Sequence, residues 1–268
     1  MLLEDSGCQE KVGLAFWMAR VEQECERVGR DFAPEPVHDL RVALRRCRSI
    51  ADGYMTYDPN RAWEEMMREG KTLFKSLGDL RDTQVMAEWV QLLAVGQDAP
   101  GNPLTDYLVI REKQTKEDGY QALQKFNLKR WALWSKQLSK RAGHIPLEGI
   151  VFQHLALVRW QQAYELHHQA LRNRSQVSFH RLRIGLKRFR YTVENFLPQL
   201  HERWGKDLRE LQDLLGELHD LNVLWHTAVS VGAVKEAGAR AVWRSRIAEA
   251  RQQRLDQYRQ KMLGTASL

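Results

Sequence analysis

Apolar residues recur along this chain at intervals of three and four, the spacing that lines one face of an α-helix. In "VHDLRVALRRCRSI", residues 37–50, Leu40, Ala43, Leu44 and Cys47 fall within an arc of about 100° when successive residues are set about 100° apart. The seven prolines, Pro34, Pro36, Pro59, Pro100, Pro103, Pro146 and Pro198, stand between such patterns, where a missing N–H does no harm. No strand-like alternation bounded by turn residues survives between them. The pattern predicts an all-α chain with helices over about 8–30, 36–57, 61–94, 103–141, 147–174, 177–197, 201–230 and 234–262. That is four helices in each half, and a four-helix bundle is the natural way to bury one apolar stripe from each. The linker is "AGHIPLEG", residues 142–149, between halves 1–142 and 147–268.

The two halves repeat. His38, Leu40, Arg41, Val42, Leu44, Arg45, Arg46 and Arg48 have counterparts of the same type in His180, Leu182, Arg183, Ile184, Leu186, Lys187, Arg188 and Arg190. Downstream, "LFKSLGDLRDTQV" (73–85) matches "LQDLLGELHDLNV" (211–223), with Gly78 and Gly216, and Asp82 and Asp220, in register. A period of about 140 residues is far too long for a solenoid and reads as one domain duplicated.

Charge changes the picture. The polar side of 37–50 carries His38, Arg41, Arg45 and Arg48 in one stripe, whereas an ordinary surface helix mixes signs because like charges a turn apart repel. The net charge of the chain is +7, and residues 37–48 (+3) and 179–190 (+5) account for all of it. An excess confined to two helices points to a site for an anion. Arg68, Lys71 and Lys75 share one face of the next predicted helix with Asp82, opposite Leu73, Leu77 and Leu80; the counterparts are Lys206, Arg209, Asp213 and Asp220. Asp213 in place of Lys75 weakens the second half here. Gly78 and Gly216 are expected where two helices approach closely, since a mid-helix glycine otherwise costs about 1 kcal/mol.

The pair "HDLRVALRRCRS" and "HRLRIGLKRFRY", each followed by an "LGxxxD" helix, resembles the conserved histidine α-helical domain, or CHAD, family over nearly the whole chain. The resemblance implies two four-helix bundles related by a pseudo-twofold axis, with the basic helices lining a central groove or pore that binds inorganic polyphosphate. Some members are fused to a triphosphatase or associate with polyphosphate granules. This chain has no Glu-x-Glu-x-Lys motif, so the catalytic activity does not carry over. The expected binding set is His38, Arg41, Arg45, Arg46, Arg48, Arg68, Lys71 and Lys75, with His180, Arg183, Lys187, Arg188, Arg190, Lys206 and Arg209.

The residue types suit that ligand. A linear polyphosphate has one charge per unit and no base edges to read, so it needs cations in a row on a rigid element. His38 to Arg48 spans about 15 Å of helix, and guanidinium groups offer a fixed fork of donors to phosphate oxygens. Free phosphate or sulfate would occupy the same cations. His38 and His180 either contact ligand or bond a backbone group in the core. Asp82 and Asp220 are expected to orient arginines rather than to carry protons, because neighbouring cations lower a carboxyl pKa.

Other classes find little support. The segment "MLLEDSGCQEK" has acids where a signal peptide has bases, and there is no 18-residue apolar run, so an intracellular, cytoplasmic chain without membrane contact is expected. Cys8, Cys25 and Cys47 are too few and too scattered for a disulfide framework or a zinc site and read as reduced thiols, Cys47 buried. Glu165 and His168 form a single Glu-x-x-His where a di-iron bundle needs two, so a surface helix is expected there and no metal or other cofactor. No nucleophile or acid/base pair recommends an enzyme. Nucleic-acid binding through the same cations is the alternative; it is weakened because the tryptophans, Trp131 and Trp134 among them, are spaced as core anchors. Only Phe179, Phe189 and Tyr191 lie beside a stripe where a base could stack. The sequence sets no oligomeric state.

Overall fold

The computed structural model describes residues 13–93 and 103–265. Among these there are ten helices and no strand: α1 (Leu14–Asp31), α2 (Pro34–Tyr54), α3 (Arg61–Ser76), α4 (Gly78–Leu92), α5 (Pro103–Lys125), α6 (Leu128–Ala142), α7 (Ile150–Asn173), α8 (Gln176–Phe196), α9 (Pro198–Ser230) and α10 (Ala237–Thr265). Prolines open α2, α5 and α9, where φ near −65° suits the first turn and no N–H is required. Asn60 caps α3 by accepting from the Ala62 N–H, and Asn127 caps α6 by accepting from the Arg130 N–H. The helix expected from residue 8 begins within the described residues at Leu14, and Cys8 lies outside them.

Two expected helices are each divided. The stretch 61–94 breaks at Leu77, whose N–H bonds the Leu73 carbonyl while Gly78 starts α4. The stretch 103–141 breaks at Phe126 and Asn127, because the Asn127 side chain takes over a first-turn amide and restarts the helix. Apolar periodicity runs through both breaks, so spacing alone joined the pieces.

The chain packs as two compact units, which are not the sequence halves. Among the described residues, one comprises 13–81, 115–158 and 188–203; the other comprises 82–93, 103–114, 159–187 and 204–265. In the first unit α1 packs on α2 and α6, α2 on α3, and α3 on α6. Met18, Val21 and Val28 of α1, Leu40, Ala43 and Cys47 of α2, Trp63 and Leu73 of α3, and Trp131 and Leu138 of α6 are fully or almost fully buried. Trp131 satisfies its indole N–H on the Met18 carbonyl at 3.1 Å, and Trp63 donates to Asp58 at 2.9 Å. Burial raises the thiols of Cys25, to about 12, and of Cys47, so both stay protonated.

In the second unit Met86, Trp89 and Val90 of α4, Leu104 and Leu108 of α5, Leu221 and Leu224 of α9, and Trp243 and Ile247 of α10 share one core. Arg254 pairs with Glu217 at 2.6 Å, and Lys261 pairs with Asp207 at 2.9 Å and with Glu210, so α10 covers the acidic edge of α9. Trp63, Trp89, Trp131, Trp134 and Trp243 are buried anchors, whereas Trp160 and Trp204 are exposed.

The glycine expectation needs correction. A Cβ at Gly216 would meet nothing within 4 Å, and one at Gly78 would meet only the Arg41 guanidinium at 3.4 Å. The close approaches are elsewhere. A Cβ at Gly53 would lie 2.4 Å from the Phe196 ring, and one at Gly185 would lie 2.7 Å from Leu166 and 3.6 Å from the Ala163 backbone.

Candidate functional site

The apolar arc of α2 faces the core and leaves its basic stripe toward solvent. Leu40, Ala43, Leu44 and Cys47 are buried, Arg41 and Arg45 are half-buried, and His38 and Arg48 are exposed. Asp39, the one acid of the stretch, lies on another side of the helix and is held by Arg20 and Arg27 of α1 at 3.4 and 3.2 Å. α1 thus pairs the acid that stands next to His38 on α2.

Arg41 is fixed by α3. Its Nη1 donates to the Phe74 carbonyl at 2.7 Å, and its guanidinium carbon lies 4.1 Å from the centre of the Phe74 ring. A guanidinium held at one corner keeps its remaining N–H groups in a set direction. On the same helix Arg68, Lys71 and Lys75 are exposed opposite buried Leu73. Lys75 borders a cleft of about 410 Å³ that also holds Asp79, Asp118 and Lys125, so its surroundings are of mixed sign.

Arg81 joins this group from the start of α4. Burial, then Arg81 and Arg45, and more weakly Arg41, lower the His38 pKa, and only Asp39 opposes them. Cations from two helices, α2 and α4, thus act on the imidazole beside its partial burial. Arg81 lay in the quoted repeat, one residue before Asp82, but stripe geometry on α2 alone could not assign it.

The second unit has a related arrangement on α8 and α9. His180 is exposed, Arg183 and Lys187 are half-buried, and Lys206 and Arg209 are exposed. The rings of His180 and His219 lie 4.9 Å apart. Burial, Arg183 and His180 lower His219 to about 4. His219 occupies the place in "LGELHD" that Arg81 occupies in "LGDLRD".

Two arginines of the expected set have a different environment. Arg46 and Arg190 are each only 6 % exposed, and both are turned onto Glu194 within the first unit. Arg46 pairs directly with its Oε1, Arg190 lies 3.5 Å from its Oε2, and the two guanidinium groups each lie 4.7 Å from the Tyr191 ring. Burial would raise the Glu194 carboxyl, but the two arginines outweigh it and hold it below its ordinary value. The reason is geometric: Arg46 follows Arg45 by about 100° of helix and points into the packing. Arg188 is exposed. Tyr191, caught between two guanidinium groups, and Phe189 are both buried, so neither ring offers a free face to a base.

Glu165 and His168 are exposed on α7, where the His168 ring packs edge-on against Tyr164 at 4.4 Å. Among the described residues no three His, Cys, Asp or Glu side chains stand close enough to hold a metal ion. No helix among them is long and apolar enough to cross a membrane.

The CHAD domain model matches residues 15–229. The crystal structure of the CHAD domain from the plant Ricinus communis is similar to this chain with a TM-score of 0.59 and 23% sequence identity, over 91% of this chain and 83% of that one. Curated proteins give no match. With the family model spanning most of its length, from α1 almost to the end of α9, the chain belongs to the CHAD domain family.

Proposed function

We propose that this chain binds inorganic polyphosphate without catalysing a reaction on it, along the basic stripes of α2 and α8. The observation that carries the reading is the anchored basic stripe of α2: Arg41 is held on the Phe74 carbonyl and ring, with His38, Arg45 and Arg48 on the same side of the helix. Such a cluster calls for a ligand bearing several negative charges in a row. The ligand contacts are His38, Arg41, Arg45, Arg48 and Arg81 in one unit, and His180, Arg183 and Lys187 in the other. Arg68, Lys71, Arg188, Lys206 and Arg209 extend the basic surface. Arg46 and Arg190 act from within, as a scaffold. Each charge-assisted hydrogen bond contributes about 1.5–3 kcal/mol, so a few contacts suffice for tight binding.

The test is a binding titration with polyphosphates of graded length, run at several salt concentrations and in competition with single-stranded RNA. Polyphosphate should bind more tightly with length, lose affinity steeply with salt as counterions are released, and displace RNA. Preferential binding of RNA would favour a nucleic-acid function. A phosphate-release assay on the same samples checks the non-catalytic part, and release of phosphate would overturn it. Association with polyphosphate granules follows from the same affinity and is read by co-sedimentation.

A further inference from the structure

His219 stands outside the stripe that charge spacing defines, yet it lies within the second cluster. Its ring centre is 4.9 Å from that of His180, with the planes inclined at 43°. The other charged group acting on it is Arg183, also on α8. Asp220 follows it on α9, but one residue turns a helix by about 100°, and among the groups that shift His219 there is no carboxylate. The imidazole is half-buried beside a guanidinium and a second imidazole.

We propose that His219 contacts the polyanion and takes up a proton from solvent when the anion binds. The inference rests on the polyphosphate reading and adds a residue and a regulator to it. Without ligand, burial, Arg183 and His180 keep the ring neutral at ordinary pH, with a pKa of about 4. A phosphate oxygen placed on Arg183 cancels that repulsion and offers the ring an acceptor. The imidazolium is then favoured, and it donates to the anion. Proton uptake on binding means that affinity rises as pH falls, by up to about tenfold per pH unit for one proton. At the matching place in the first unit stands Arg81, which is charged at every ordinary pH.

The experiment is calorimetry of the full chain with long-chain polyphosphate, whose few terminal groups contribute little titration of their own. Runs at pH 6.5 in PIPES and in Bis-Tris, which differ in ionisation enthalpy, read the number of protons taken up. Titrations at pH 6 and pH 8 read the affinity. Wild type should take up protons and bind more tightly at pH 6. His219→Gln should bind within about twofold of wild type at pH 8, take up fewer protons, and fall at least about fivefold behind at pH 6. His219→Arg, which copies the first unit, should bind at pH 8 about as wild type does at pH 6. Circular dichroism confirms that both variants are folded. Binding by wild type with no proton uptake, or an unchanged pH profile in His219→Gln, overturns this inference and leaves the polyphosphate reading in place. No binding by wild type at either pH overturns both.

Discussion

Arg45 and Arg46 are neighbours in sequence, yet they belong to opposite environments. Arg45 joins a cluster with Arg41, Arg81 and His38 in which only Asp39 opposes the positive field at His38. Arg46 is buried against Glu194, with Arg190 on the other carboxylate oxygen and Tyr191 between the two guanidinium groups. In the first cluster the cations are exposed or half-buried, and Arg41 is anchored on Phe74. In the second a desolvated carboxylate compensates the cations, and losing it would strand two buried charges. On the proposed reading the first cluster takes the ligand, while the second ties α2 to α8 within the first unit.

The sharpest way to break this comparison is to neutralise each cluster and read both binding and stability. Arg41→Gln with Arg45→Gln should weaken polyphosphate binding by about 100-fold or more, from two lost charge-assisted contacts. It should cost the unliganded protein about 1 kcal/mol, for the lost bond from Arg41 to the Phe74 carbonyl. Arg111→Gln with Lys113→Gln, on the mixed-charge helix α5, should change affinity little. Equal losses from the two pairs would remove α2 as the site, and a drop in stability well beyond that one hydrogen bond would make the stripe structural.

Glu194→Gln reverses the pattern. It should destabilise the protein by about 3 kcal/mol, the usual cost of breaking a buried ion pair, with polyphosphate affinity within a few-fold of wild type once the sample is folded. Chemical denaturation and the same titration check the two halves of that statement.

Polyphosphate itself should raise the melting temperature. A ligand of the folded state adds about 2.7 kcal/mol at a hundred times Kd, or roughly 5–10 °C for a chain of this size. Phosphate or sulfate at high concentration should give a smaller rise of the same kind, and the rise should shrink in the α2 double variant and persist in Glu194→Gln.

The smallest effect separates the two open clusters by pH. At pH 8 Arg81→Gln should lose about tenfold in affinity, while His219→Gln loses little. Stability shows the same asymmetry without ligand. His219 has its folded pKa lowered from about 6.5 to about 4, so between those values the unfolded chain binds more protons than the folded one. Its contribution is complete above pH 6.5 and is lost as pH falls toward 4. The melting temperature of His219→Gln should therefore fall less steeply than that of wild type over this window.

Much of this was legible along the chain. The 3.6-residue period and the prolines announce helices, and the stripe of His38, Arg41, Arg45 and Arg48 follows from the turn of one helix. Other features lay out of reach. Asn127 has the chemistry of a cap, but unbroken apolar spacing on both sides concealed the break it makes. Gly78 and Gly216 looked like contact points because they repeat, while glycines such as Gly53, Gly119 and Gly185 are the ones pressed against neighbouring side chains. Arg46 read as one more cation because the position of Glu194, about 150 residues away, has no local signature.

The sequence by itself determined the all-α class, the repeated basic segments and the faces that α2 turns inward and outward, because all of these depend on residues a few places apart on one helix. Only the tertiary structure decided which cations share a field and which are cancelled. Arg81 acts on His38 electrostatically, His219 meets His180, and Glu194 meets Arg46 through the packing of separate helices. Coulomb interactions depend on distance in space and on burial, and neither is set by periodicity along the chain.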